Sequence, residues 1–201
     1  VIDAVRAATG YTVRRRLDLK AHEAQQRYLE GTGSLVLDRV QRVAYACRSP
    51  RTDEMLVREW CLALGYRPVL FDAVDASGRA YYHTNVMLWI GSQCAAVCLE
   101  SIAPAQRDAV REALAERHAL IEVDRAAVTH FAGNMLEVRG RDAAGTVQSC
   151  LLMSAAARTA LSDAQREQLL AHYPRWIVAA VPTIEAVGGG SVRCMVAEVP
   201  V

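Results

Sequence analysis

The chain repeats itself, and that limits its fold more than any other feature. Tyr82-His-Thr-Asn-Val86 and Phe131-Ala-Gly-Asn-Met135 begin 49 residues apart, and each opens a segment with the same predicted order of elements. Strands are expected over 34–38 and 42–47, a helix over 52–64 and a strand over 67–73. The second copy reads as strands 85–90 and 94–100, helix 104–117 and strand 119–124. The third reads as strands 134–139 and 146–153 around a turn at 142–145, helix 162–172 and strand 176–181. Helix signals mark each copy: Thr52 as N-cap with Gly65 as stop, Pro104 in a first turn, and a capping box from Ser162 to Gln165. Periods near fifty signify arrays. A helix in every unit argues against an ordinary four-stranded propeller blade, so strands are expected around an axis with helices outside. The opening residues, helix over 2–8 and strand over 11–17, read as the back half of an earlier copy. Part of the natural chain is expected to precede Val1.

The last twenty residues fit this scheme. Gly188, Gly189 and Gly190 lead into a short apolar run over 191–199 that carries Cys194 and is expected to begin a fourth copy as a strand. Glycine lets backbone approach a ligand closely. Related by rotation, the unit starts face one axis: Glu30 with Gly31-Thr32-Gly33, His83 with Asn85, Gly133 with Asn134, and Gly190 with Arg193 and Cys194. A carboxylate, a histidine, amides and a thiol thus converge without a local motif.

Each candidate has a bland alternative. Cys194 is either a core thiol or a nucleophile whose thiolate is stabilised by open backbone N–H groups; Arg193 is expected on the other side of the strand. His83 is either a loop-end histidine bonded to backbone or a general acid and base near neutral pH. Glu30 is either a solvated turn residue or the acceptor of a planar, N–H-rich group. Glu137, Glu185 and Glu198 are weaker candidates. His22, His118, His130 and His172 read as structural. A phosphate loop is discounted, because the glycines precede a strand and no lysine follows.

Composition narrows the class. Twenty-three basic and 22 acidic residues leave a net charge of +1, which gives no reason to expect a nucleic-acid or anionic-membrane partner. No apolar run approaches a membrane span and no signal-peptide pattern opens the chain. Cys47, Cys61, Cys94, Cys98 and Cys150 sit in apolar runs and read as core thiols of a cytoplasmic protein, without zinc-site spacing.

The motifs resemble the pentein superfamily of guanidino- and ureido-group enzymes, nearest to bacterial citrulline utilisation hydrolases and their amidinotransferase-like relatives. The stretches that carry the resemblance are Leu29-Glu-Gly-Thr-Gly-Ser-Leu-Val-Leu-Asp-Arg39, Ala44-Tyr-Ala-Cys-Arg-Ser-Pro-Arg-Thr52, Tyr82-His-Thr-Asn-Val-Met87, Val97-Cys-Leu-Glu-Ser101, Phe131-Ala-Gly-Asn-Met-Leu-Glu137 and Thr183-Ile-Glu-Ala-Val-Gly-Gly-Gly-Ser-Val-Arg-Cys-Met195. The resemblance implies an α/β ring of ββαβ units about a pseudo-five-fold axis, with residues 1–201 forming a partial domain that lacks one or more N-terminal units. It implies Cys194 as nucleophile, His83 as general acid and base, and Glu30 as a ligand of substrate nitrogens. Asn85, Asn134, Gly190 and Arg193 are expected to line the substrate site. An aspartate that the family draws from an earlier unit has no counterpart here.

Two departures bear on substrate. Arginine deiminases and methylarginine hydrolases carry Glu-Gly-Gly-Asp where this chain has Glu30-Gly31-Thr32-Gly33. Arginine deiminases carry an aspartate where this chain has Asn85. Losing two carboxylates favours a neutral ureido group over a guanidinium. The expectation is a hydrolase that converts citrulline to ornithine, ammonia and carbon dioxide, with no metal or organic cofactor. A small ureido or guanidino amino acid is the expected partner, homo-oligomers are possible, and neither nucleic acid nor membrane is expected. A guanidino hydrolase or an amidinotransferase is the alternative in class, and a non-catalytic binding domain on the same scaffold is the alternative outside it.

Overall fold

The computed structural model describes residues 2–141 and 143–197. Helix α1 (Ile2–Thr9) and a 3-10 helix (Lys20–Gln25) precede a one-turn helix, α2 (Gly31–Ser34). The first unit is β1 (Val36–Asp38), β2 (Val43–Cys47), α3 (Glu54–Leu64) and β3 (Arg67–Phe71). The second is β4 (Leu88–Ile90), β5 (Cys94–Val97), α4 (Pro104–Ala115) and β6 (Ala119–Glu122), followed by α5 (Arg125–Thr129). The third is β7 (Leu136–Arg141), β8 (Val147–Ser154), α6 (Ala155–Ala160), α7 (Asp163–His172) and β9 (Trp176–Ala179).

Each unit is a three-stranded sheet of one design. Its first strand runs antiparallel to the second, as in Val36 opposite Tyr45, and its second parallel to the third, as in Tyr45 opposite Val69. The pattern returns with Leu88 opposite Val97 and Ala96 opposite Ile121, and with Leu136 opposite Leu152 and Leu152 opposite Ile177. Parallel neighbours need a crossover, which the helix supplies. The middle strands β2 and β5 are buried throughout, hence their continuous apolar runs. The first strands meet, β1 against β4 and β4 against β7, while α4 packs on β3 and α7 on β6. First strands therefore gather at the centre, helices lie outside, and α4 and α7 each cover the third strand of the unit before their own.

Carboxylates close both joints between units. Asp38 Oδ2 meets His118 Nε2 at 2.8 Å, with both side chains almost fully buried. Glu137 accepts hydrogen bonds from the Ser92 main chain at 2.6 Å and from the Tyr173 hydroxyl at 2.7 Å.

The structure revises several sequence boundaries. Residues 11–17 form no strand. The N-cap of α3 is Asp53, not Thr52; its carboxylate accepts the Leu56 N–H. Gly65 is left-handed and ends that helix, and the Ser162–Gln165 capping box is present. Strands expected from 34, 85 and 134 begin later, at Val36, Leu88 and Leu136. In the first two units the preceding residues wind into a helical turn, α2 and a 3-10 turn at Thr84–Val86. The fourth start does the same: Val192–Met195 is a 3-10 turn, not a strand. The physical reason is a set of buried polar side chains. Ser34, Thr84, Asn85, Asn134 and Ser191 are buried, and short polar side chains that bond main-chain groups compete with strand pairing. Asp142, Glu198 and Val199, on which parts of the expected turn, carboxylate set and last strand rest, lie outside the described residues.

Candidate active site

The turns before the first strands hold the candidate residues. Ser34 Oγ accepts the Glu30 N–H at 3.0 Å and donates to the Arg51 carbonyl at 2.9 Å, so one buried hydroxyl fixes both main chains. Thr84 Oγ1 donates to the Ser34 carbonyl at 2.6 Å and accepts the Cys47 N–H at 2.8 Å. That clamp sets the turn carrying His83 and Asn85 against the first unit.

His83 and Glu30 come together. Nε2 of His83 lies 2.7 Å from Glu30 Oε2, and Arg51 Nη1 lies 3.6 Å from the same oxygen. Gly33 makes room: a Cβ there would sit 2.6 Å from two atoms of the His83 ring. Tyr82 lies beside the His83 ring, 4.8 Å between centroids, and its own ring lies under the Arg51 guanidinium at 5.3 Å. Burial lowers the His83 pKa below its ordinary 6.5, outweighing the Glu30 hydrogen bond and charge that favour the imidazolium.

Cys194 meets the two asparagines. Asn134 Nδ2 donates to Cys194 Sγ at 3.3 Å and to the Asn85 carbonyl at 2.8 Å. Its Oδ1 accepts the Arg193 N–H at 3.2 Å, which fixes the amide orientation. The Cys194 thiol lies 3.9 Å from Asn85 Oδ1, and Asn85 Nδ2 donates to the Thr32 carbonyl at 3.2 Å. Gly190 packs against this cysteine: a Cβ there would lie 3.3 Å from Cys194 Cβ and 3.4 Å from its Sγ, a tight contact that a shift of a few tenths of an ångström would relieve. Two bonds hold the loop: Ser191 Oγ donates to Glu185 Oε1 at 2.7 Å, and the Tyr82 hydroxyl donates to the Gly189 carbonyl. The Arg193 guanidinium donates to the Val196 carbonyl at 3.0 Å. Because this segment is a turn, Arg193 contributes its main-chain N–H to the same cluster as Cys194, not to the opposite face of a strand.

Cys194 is the exposed cysteine; the other five are buried. Burial pushes the thiols of Cys47 and Cys61 up to about 11 and that of Cys94 up to about 12, so these stay protonated near neutrality. Glu137 belongs to the joint between units, and Glu185 holds the loop. Sequence reasoning missed Arg51 and Tyr82. Both lie within the motif stretches and Tyr82 opens its unit, but neither residue type signals this role locally. Among the described residues, no group of three or more His, Cys, Asp or Glu could hold a metal ion, and no helix is long and apolar enough to cross a membrane.

Chemically, the arrangement offers an accessible thiol with a hydrogen-bond donor on its sulfur. On the adjoining turn stands an imidazole backed by a carboxylate.

Solved structures share this fold. The chain is similar to ArgZ, an arginine dihydrolase from the ornithine–ammonia cycle in cyanobacteria, at 17% identity and TM-score 0.68, over 96% of this chain and 27% of that one. It is similar to the substrate-bound N-terminal domain of ArgZ at 19% identity and TM-score 0.63, over 95% and 61%. It is also similar to SxtG, an amidinotransferase from Microseira wollei in the saxitoxin biosynthetic pathway, at 13% identity and TM-score 0.55, over 92% and 48%. The chain thus spans about a quarter of ArgZ and about three fifths of its N-terminal domain. No curated protein matches it by sequence. The family model described as N,N dimethylarginine dimethylhydrolase, eukaryotic, matches residues 1–201, and the chain belongs to that family, within the pentein superfamily of guanidino-modifying enzymes.

Proposed function

We propose that the protein is a cysteine-dependent hydrolase of a ureido or guanidino carbon–nitrogen bond, with Cys194 as nucleophile. The observation that carries this reading is the Asn134 amide on the sulfur of the exposed Cys194, one turn from the His83–Glu30 pair.

In this reading the Cys194 thiolate adds to the central carbon of the substrate. Asn134 Nδ2 stabilises the thiolate, since a hydrogen bond to the charged form favours it. His83 gives its proton to the departing amine, and a covalent thiocarbamoyl or amidino enzyme remains. Neutral again, His83 takes a proton from water, which attacks the same carbon and restores the thiol. With citrulline, one water is consumed and ornithine, ammonia and carbon dioxide leave. Glu30 holds the imidazole and accepts from substrate N–H groups, and Gly190 lets the reacting carbon approach.

A neutral ureido amino acid such as citrulline fits best. The amides of Asn85 and Asn134 face Cys194 where a guanidinium calls for carboxylates. A guanidino substrate is the second reading, and the family match together with the arginine dihydrolase likeness favours it. Ammonia and amine release from citrulline, arginine and dimethylarginine, measured in parallel, separates the two. Turnover of citrulline alone supports the ureido reading, turnover of the cationic compounds alone supports the other, and no turnover of any counts against both.

A further inference from the structure

A cavity outside the catalytic cluster has the makings of a second ligand site. It lies between the loop after β3 and α5 and measures about 430 Å³, within the range of small-molecule pockets. Tyr81 and Val128, both buried, and Tyr82 and Phe131, both half-buried, give it an apolar wall. Arg79 and Arg125 add two guanidinium groups.

The charge balance is positive. Asp75 is the acidic residue among those lining the cavity, and its carboxylate is bound within its own turn. It accepts the Ser77 hydroxyl at 2.6 Å, the Ser77 N–H at 2.8 Å and the Arg79 main-chain N–H at 3.0 Å, and it pairs with Arg79 Nε at 3.3 Å, so Arg125 is the cation it leaves uncompensated and Arg79 offers only its terminal nitrogens. Arg125 is held rigidly: Nε donates to Ser101 Oγ at 3.1 Å and Nη2 to the Glu100 carbonyl at 2.7 Å. Its Nη1 has no partner among the described residues, so that edge is open. The Glu100 carboxylate accepts the Arg125 main-chain N–H and does not line the cavity. A fixed guanidinium with an open edge is a preorganised carboxylate receptor.

The wall selects the other end of the ligand. Phe131 is held at φ +66°, a conformation uncommon for a bulky residue. Its carbonyl accepts the Asn134 N–H at 2.8 Å and closes the turn that presents Asn134 to Cys194. Tyr82, on the other side, grips the Gly189 carbonyl of the nucleophile loop. Aromatic walls favour an aromatic ligand by offset stacking.

We propose that this cavity binds a small aromatic carboxylate, the acid group on Arg125 and Arg79 and the ring against Tyr82 and Phe131. The site does not depend on the catalytic reading of Cys194. Because Tyr82 and Phe131 also support the His83 and Asn134 turns, an occupant touches two residues that shape the catalytic cluster.

Calorimetric titration of the purified protein with phenylacetate, benzyl alcohol and benzylamine tests this. Phenylacetate is expected to bind saturably, benzyl alcohol about tenfold more weakly for want of the charged hydrogen bonds, and benzylamine more weakly still. Arg125→Gln is expected to lose about tenfold in phenylacetate affinity, and the exposed Arg79→Gln several-fold. Phe131→Asn, which tolerates the left-handed backbone, is expected to weaken all three ligands that bind. Absence of saturation by roughly 10 mM phenylacetate overturns the assignment. So does equal affinity for the acid and the alcohol, or unchanged affinity in Arg79→Gln and Phe131→Asn.

Discussion

Asn134 joins Cys194 to the unit before it. Its Nδ2 donates to the sulfur at 3.3 Å and to the Asn85 carbonyl at 2.8 Å, while its Oδ1 takes the Arg193 N–H. The side chain is almost wholly buried, so its geometry is set by the fold and not by solvent. Asn134→Asp keeps the acceptor for Arg193 but replaces the sulfur's donor with an anion. Alkylation of Cys194 near neutral pH is expected to slow about tenfold, because an anion beside the sulfur disfavours the thiolate. The rate of iodoacetamide alkylation, read on the Cys194 peptide, measures it.

Gly33 is the space into which His83 packs. A Cβ would fall 2.6 Å from ring atoms, and the backbone there is not left-handed, so the strain of Gly33→Ala is purely steric. The imidazole must leave Glu30, with a stability loss of about 1–3 kcal/mol. Turnover is expected to fall at least tenfold, with a displaced His83 ring signal in NMR. Full turnover with an unmoved ring contradicts the role given to His83.

The pH dependence of stability follows from His83. Burial holds its pKa below 6.5 in the folded protein, against the pull of Glu30. Between the folded value and 6.5 the unfolded chain binds more protons, so stability rises with pH through that window and is lost as pH falls through it. His83→Gln is expected to flatten the rise. Glu30→Gln removes the hydrogen-bonded charge and is expected to lower the His83 pKa further. Denaturant unfolding at a series of pH values and NMR titration of the ring check the two parts.

The Asp38–His118 pair holds the first two units together. Burial pushes the Asp38 carboxyl up, but hydrogen bonds from Gln41 N–H, His118 and Val40 N–H outweigh it and hold it below 3.8. The stabilisation is present above pH 3.8 and is lost as pH falls through the folded value. His118→Ala leaves Asp38 Oδ2 without its partner, while the Val40 and Gln41 N–H groups still serve Oδ1, and is expected to cost about 1–3 kcal/mol near neutral pH. Chemical denaturation measures it, and a double-mutant cycle with Asp38→Ala isolates the pair.

The sequence revealed the array more readily than its joints. Period, capping residues and glycine stops are local signals, and they placed three ββαβ units and the Ser162 capping box. Helices α5 and α6 escaped because they are five and six residues long, too short for a periodic pattern. The turns before the first strands escaped for a different reason. Ser34, Asn85 and Asn134 look like strand openings in sequence and fold as turns because each is buried and bonds main chain from another part of the protein. Cys194, His83 and Glu30 were legible as unit starts. The pairing of Glu30 with His83, the Arg193 N–H on Asn134 and the place of Arg51 depend on contacts between units, which no local window contains.

The central claim is that Cys194 forms a covalent bond to the ureido or guanidino carbon. Acid quenching during turnover, followed by peptide mass spectrometry, tests it directly. A carbamoyl mass on the Cys194 peptide with citrulline, or an amidino mass with arginine, is the expected result, with neither adduct nor turnover in Cys194→Ser. Full turnover by Cys194→Ser, or an adduct confined to another cysteine, contradicts it.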